Sequence, residues 1–197
     1  MSTTTENHTT TPTGSVHPRE RSANPIPSGV DIGHVHMRAG DLQKIKDFYV
    51  GILGFDVVIE MPDALFLSAG GYHHHLAFNT WESKGGQPAP LGSTGLYHVA
   101  IRYPTRAALG DAFRRLARAD WMLDGFNDHG THEALYLSDP EGNGLELCWD
   151  RPIEEWPLDE DGTMGWGNRR LDLRGLFAEG ADEATLAGLP NPRFKGQ

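Results

Sequence analysis

The chain has 197 residues, room for one domain with a sizeable core plus tails. Its formal net charge of -10 argues against nucleic acid or an anionic membrane as a partner. Cys148 is the only cysteine, so there is no intrachain disulfide, and no apolar run approaches the roughly 18 residues of a membrane span. The N-terminus shows no apolar stretch of the secretory kind, which makes the cytoplasm the expected compartment.

Residues 1–28 are Ser, Thr, Pro, Asn and charge with little to bury, and are expected to form a disordered tail in which His8 and His17 are solvated bystanders. From residue 30 the pattern changes. Residues 32–38 alternate, Val35 and Met37 pointing one way and His34, His36 and Arg38 the other, as in a half-buried strand. Asp41 is an N-cap candidate for a helix whose Leu42, Ile45, Phe48, Tyr49 and Ile52 recur at helical spacing, ended by Gly51 and Gly54. Strands are predicted over 55–60, 64–68 and 73–80, with a turn at Gly70-Gly71. Residues 81–94, rich in Gly, Pro and Ser, read as a linker.

The unit then repeats. A strand over 97–103 carries His98, Ala100 and Arg102 on one face. Thr105 caps a helix over 106–119 with Leu109, Phe113 and Leu116 on its apolar side, followed by a weak strand at 122–126 and strands at 133–138 and 144–150. Asp47-Phe48 is echoed by Asp111-Ala112-Phe113. This internal duplication is the main architectural signal, giving modules at 30–81 and 95–152 inside one domain, 29–152. Residues 153–197 form a C-terminal extension with a short amphipathic helix candidate at 171–179. Its Trp156, Trp166, Leu171, Leu173, Leu176 and Phe177 are too apolar for a disordered tail, so it should pack over the domain or across a dimer.

Strand parity carries the functional reading. In each strand the large aliphatics select one face for helices to cover, and His34, His75, His98, Tyr136 and Glu146 fall on the other. The expected fold is therefore α+β, two βαβββ modules forming an open barrel-like sheet around a metal site. Two imidazoles and one carboxylate suit a divalent ion and leave positions open for substrate and dioxygen, whereas a fourth protein ligand would favour a Lewis-acid role. His75 and its neighbour His74 are the decision point. His36 shares the inward face as a possible substitute ligand, His129 and His132 are loop histidines with a possible substrate role, and Cys148 reads as packing.

His34 ahead of Asp41, Asp47-Phe48-Tyr49, Leu53-Gly54-Phe55, His98-Val99-Ala100 and the run Asp139-Pro140-Glu141-Gly142-Asn143-Gly144-Leu145-Glu146-Leu147 together resemble the vicinal oxygen chelate superfamily of glyoxalase I, the bleomycin and fosfomycin resistance proteins and the type I extradiol dioxygenases. Within it, Gly70-Gly71-Tyr72-His73-His74-His75, Asn79-Thr80-Trp81, Asp128-His129-Gly130, Glu133-Ala134-Leu135-Tyr136 and Trp149-Asp150-Arg151-Pro152 are most similar to the catechol 2,3-dioxygenase-like group. The likeness covers about 30–152 and implies that His34, His98 and Glu146 bind the metal. For an extradiol enzyme it implies Fe(II), a catecholic aromatic substrate, dioxygen, a catalytic histidine aligned best with His74, and Tyr136 near the substrate. For a lyase, isomerase or thiol transferase it implies Mn, Zn or Ni with His75 as fourth ligand, and a third option is a non-catalytic small-molecule-binding protein. Parity favours His75 as the inward residue and motif alignment favours His74; a bulge beside Gly70-Gly71 would reconcile them. One-domain proteins with this pattern are often dimers, and a homodimer is expected. Many extradiol dioxygenases carry two such domains; this chain has one.

Overall fold

In the computed structural model, residues 16–196 are described. The part of the expected disordered tail at 1–15, His8 included, lies outside them. Within the described part, the His17 backbone pairs with Gly162 and Thr163, and Arg19 meets Asp159 at 2.8 Å.

The α+β fold of two βαβββ modules stands, with each module's sheet formed separately and the pair not closed into a barrel. In the first module β1 (Val35–Arg38), β2 (Asp56–Glu60), β3 (Ala64–Ser68) and β4 (Leu76–Asn79) run in the order β1-β4-β3-β2, with β1 parallel to β4. The second repeats this with β5 (Val99–Arg102), β6 (Met122–Asp128), β7 (His132–Ser138) and β8 (Gly144–Asp150) in the order β5-β8-β7-β6, with β5 parallel to β8. A two-residue strand, β9 (Arg193–Phe194), extends the second sheet beyond β6; its brevity left no periodic signal in the sequence.

Helix α1 (Leu42–Phe48) starts where expected, because the Asp41 carboxylate accepts from the backbone N–H groups of Gln43 and Lys44. It passes into a π-helical turn, Tyr49–Leu53, that ends on Gly54 at φ 87°, a left-handed conformation natural to glycine. Helix α2 (Arg106–Arg118) is capped by the Thr105 hydroxyl, which accepts from the Ala108 N–H at 3.1 Å. Ile45, Phe48 and Tyr49 from the first module and Leu109, Phe113 and Leu116 from the second belong to one continuous core with Leu65, Phe78, Leu135 and Leu147 from the strands. The helical sides of both modules thus share one interior, with Phe48 packed on Trp121 at 4.5 Å.

The extension packs on the domain. Helix α3 (Leu173–Ala178) lies on α2, Phe177 meeting Phe113 edge-on, and the Arg114 guanidinium donates to the carbonyls of Phe177 and Glu179 at 2.8 and 3.0 Å. Gly110 permits the approach: a Cβ there would fall 2.6 Å from the Leu176 carbonyl oxygen. A last short helix, α4 (Glu183–Leu186), precedes β9. Among the described residues no helix is long and apolar enough to cross a membrane.

One polar staple joins the modules through that shared interior. Buried Asp139, in the turn before β8, accepts from the backbone N–H groups of Glu141 and Asn143, the Asn143 amide and the Tyr49 hydroxyl. The Asp41 N–H donates in turn to the Glu141 carboxylate at 3.0 Å. Burial pushes the Asp139 carboxyl up despite these donors. Asp139→Ala, which strands several buried donors, should lower unfolding free energy by about 2–4 kcal/mol in a denaturant titration. Asp139→Asn, which keeps the shape and one acceptor oxygen, should lower it by less.

Candidate metal centre

Glu146 sits in the middle of β8, and register places it between Ala100 of β5 and Tyr136 of β7. Its side chain is only 8% exposed, and each oxygen meets an imidazole: Oε2 lies 2.9 Å from Nε2 of His98, and Oε1 lies 3.0 Å from Nε2 of His132. His98 precedes β5 by one residue. Among the described residues its other ring nitrogen, Nδ1, is buried without a hydrogen-bond partner. His132 begins β7, where the Thr131 hydroxyl lies 2.8 Å from its Nδ1. The sequence pattern reads His132 as a loop histidine. Its place beside Glu146 follows from antiparallel pairing of β7 with β8, which repeats every second residue, so that 132, 134 and 136 share one face with 146.

Tyr136 and His129 complete this group. The Tyr136 hydroxyl is 2.8 Å from Nε2 of His129. Nδ1 of His129 faces the Gly167 carbonyl at 3.1 Å, and since a carbonyl only accepts, Nδ1 carries the proton. In the neutral ring Nε2 therefore accepts from Tyr136. Burial, then the adjacent Glu146 charge, push the Tyr136 phenol well above its usual range, so it remains protonated. For Glu146, burial favours the neutral acid, but the His132 hydrogen bond and the fields of His132 and His98 outweigh it and hold the carboxyl below its ordinary value. Cys148, on the same strand face, is buried, and burial raises its thiol to about 12, consistent with packing.

The first module presents a second cluster. His34, one residue before β1, has the His74 ring 4.3 Å away and the His73 ring at 6.4 Å. Nδ1 of His73 and His74 are 2.9 Å apart. The chain is irregular over the residues before β4, and this separates the two candidate histidines. His74 lies on the His34 side against Phe66, whereas His75 turns away, its Nδ1 3.2 Å from the Ser68 hydroxyl and its ring on Tyr72. Desolvation, then the neighbouring rings of His34, His73 and His36, lower the His74 pKa, so it stands mainly neutral at pH 7. His36, next along β1, is engaged by the Asn79 amide at 2.9 Å and by Trp81.

The expected ligands are therefore divided. His98 and Glu146 are in contact; His34 keeps company with His73 and His74. Among the described residues no group of three or more His, Cys, Asp or Glu is arranged to hold a metal ion. The donor chemistry nevertheless suits a divalent cation: imidazoles gathered on a carboxylate held ionised, with one buried ring nitrogen unused. Exposed apolar side chains stand beside each cluster: Ile32, two residues before His34, and Trp81, against His36, at the first; Leu96 and Tyr97, directly before His98, at the second, with Tyr97 89% exposed.

A duplicated βαβββ unit with imidazoles at matching strand entries and a carboxylate on its last strand defines a recognisable class. Residues 31–147 match the model of the Glyoxalase/Bleomycin resistance protein/Dioxygenase superfamily, and the chain belongs to that superfamily. It is 36% identical over 166 residues to a catechol-2,3-dioxygenase of Bacillus subtilis, covering 84% of this chain but 57% of that protein. It is 32% identical to biphenyl-2,3-diol 1,2-dioxygenase 3 of Rhodococcus globerulus, covering 79% of this chain and 86% of the relative. Among solved structures, a glyoxalase/dioxygenase from Nostoc punctiforme superposes with a TM-score of 0.52 at 17% identity, covering 66% of this chain and 99% of that one, a likeness of fold alone.

His132→Ala removes the hydrogen bond that holds Glu146 ionised while its burial remains. The Glu146 carboxyl should then titrate at a higher pH, read by carbon-detected NMR of labelled glutamate. A carboxyl held below its ordinary value stabilises the fold above that value and loses this contribution as pH falls through its native pKa. The acid-unfolding midpoint of the variant should accordingly move to higher pH.

Proposed function

We propose that the protein is a metal-dependent, extradiol-type dioxygenase that opens an aromatic ring beside a vicinal diol. The observation that carries the reading is the Glu146 carboxylate joined to His98, with the Tyr136–His129 pair alongside. The names of the Bacillus and Rhodococcus relatives support it. His98 and Glu146 would hold the metal, with His34 as third ligand, and Fe(II) is the ion this role calls for. Iron bound there would provide the electron path between diol and dioxygen. Overall, both oxygen atoms of O2 enter the product and one ring C–C bond breaks.

The chain's own groups would do the rest. The Tyr136 hydroxyl, whose single proton is engaged by Nε2 of His129, would accept a hydrogen bond from a diol hydroxyl. His74, largely neutral, can accept a diol proton and return it later. The lyase or isomerase alternative calls for His75 as a fourth ligand, and that ring is engaged with Ser68 and Tyr72 instead.

Because His34 and His74 lie together and apart from Glu146, the proposal includes a homodimer in which one copy supplies His34 and His74 and the other His98, Glu146 and Tyr136. The exposed apolar residues bordering both clusters are the surface such a dimer would cover. A compartment is proposed on composition alone, the cytoplasm.

Purified anaerobically and reconstituted with Fe(II), the protein should take up oxygen and form a yellow ring-cleavage product with catechol or a substituted catechol. Bound iron with no oxygen uptake across that panel would overturn the dioxygenase reading. His34→Ala and Glu146→Ala should each abolish iron retention. Co-refolding the two variants should then restore iron to about one site in four, as random exchange in a twofold dimer gives one intact site per heterodimer. No recovery would place all ligands in one chain.

A further inference from the structure

The stretch after β8 does more than fill space. Beyond a 3-10 turn (Ile153–Glu155), the chain folds back as a tight loop in which Leu158 bridges Met164 and the Gly165 N–H donates to the Pro157 carbonyl at 2.6 Å. It then runs alongside the end of β6: Gly167 N–H donates to the His129 carbonyl, and Asp128 and Arg169 exchange backbone hydrogen bonds at 2.8 and 3.0 Å. This pairing lays Trp166 on the histidine side of the site. Its indole lies 4.6 Å from the His129 ring at a shallow 35°, and 6.2 Å from His132, which itself holds Glu146.

Glycines on both sides make the placement possible. A Cβ at Gly165 would come within 3.0 Å of the Pro157 carbonyl oxygen, and one at Gly167 within 3.0 Å of the His129 carbonyl oxygen. The indole is thus set by backbone pairing on either side of it, yet 69% of the residue stays exposed. Leu158 and Met164 are exposed on the same loop. A large aromatic held in one orientation, one side chain away from the carboxylate and open on its free face, has the properties of a stacking platform.

We propose that Trp166 is a specificity-determining residue, whose free indole face receives a planar apolar substituent, such as an aryl group, on a ring diol held at Glu146 and His98. The proposal rests on the diol-binding role given to that site above. It assigns the C-terminal extension, which lies outside the repeated modules, a direct part in choosing among substrates: small unsubstituted diols do not reach the indole, whereas aryl-substituted ones extend past His132 to meet it.

The test compares catechol with 3-phenylcatechol on iron-loaded wild type, Trp166→Ala and Trp166→Phe. Binding is read by calorimetry without oxygen and turnover by oxygen uptake. Trp166→Ala should weaken binding and raise KM for 3-phenylcatechol about tenfold, with catechol binding and both kcat values within about twofold, since one stacked aromatic pair is lost. Trp166→Phe should recover most of the difference. Equal effects on both diols, or none, would overturn the proposal. So would a loss of dimer mass in Trp166→Ala with selectivity unchanged, which would make the indole an interface group. If Trp166→Ala does not fold, Trp166→Leu is read in the same way. Selective loss of 3-phenylcatechol binding without oxygen uptake by any form would sustain the role of Trp166 while refuting the dioxygenase.

Discussion

Glu146 stands on β8 between two neighbouring strands, its carboxylate almost withdrawn from water. Burial alone would drive it neutral, and a neutral acid is a poor ligand for a metal cation. What keeps it ionised is the ring of His132 on one oxygen and of His98 on the other. Each group of the site depends on a backbone decision elsewhere: His98 on parallel pairing of β5 with β8, His132 and Tyr136 on the register of β7, His129 on the segment at 167–169. The polar site thus depends on the register of the second sheet, since a one-residue slip of β8 would turn Glu146 to the helical face.

The duplication explains why that site comes in halves. Each module covers one face of its sheet with its own helix and leaves the other face to histidines. The two helical sides share an interior sealed by the Tyr49–Asp139 contact and by Phe48 against Trp121. That packing fixes the modules relative to one another with His34 beside His74 and apart from Glu146. In the function proposed above, such a chain carries both parts of a ligand set, joined by symmetry between two copies.

The C-terminal extension binds the domain at two levels. Helix α3 and the Arg114 contacts attach it to α2, while residues 167–169 attach it to the end of β6 beside His129. Through the Gly167 carbonyl it selects the tautomer of His129, and through Trp166 it shapes the approach to Glu146. An element with no counterpart in the repeat is therefore tied to the site by backbone hydrogen bonds that no periodic pattern announces.

Much was legible in the order of residues alone. Alternation in the strands, helical spacing in Leu42–Ile52 and Leu109–Leu116, the caps Asp41 and Thr105, and the echo of one module in the other fixed the elements, because local periodicity and burial of one face act over a few residues. Parity also identified the face holding Glu146, His98 and Tyr136. It failed at His74 and His75, where an irregular stretch breaks the two-residue alternation on which parity depends, and it gave no weight to His132, which only cross-strand pairing brings to Glu146. That His34 stays with His74, that His129 is oriented by Gly167, and that Trp166 lies over it were decided by tertiary structure, because each joins segments whose relative position is set by core packing and long-range backbone pairing rather than by neighbours in the chain.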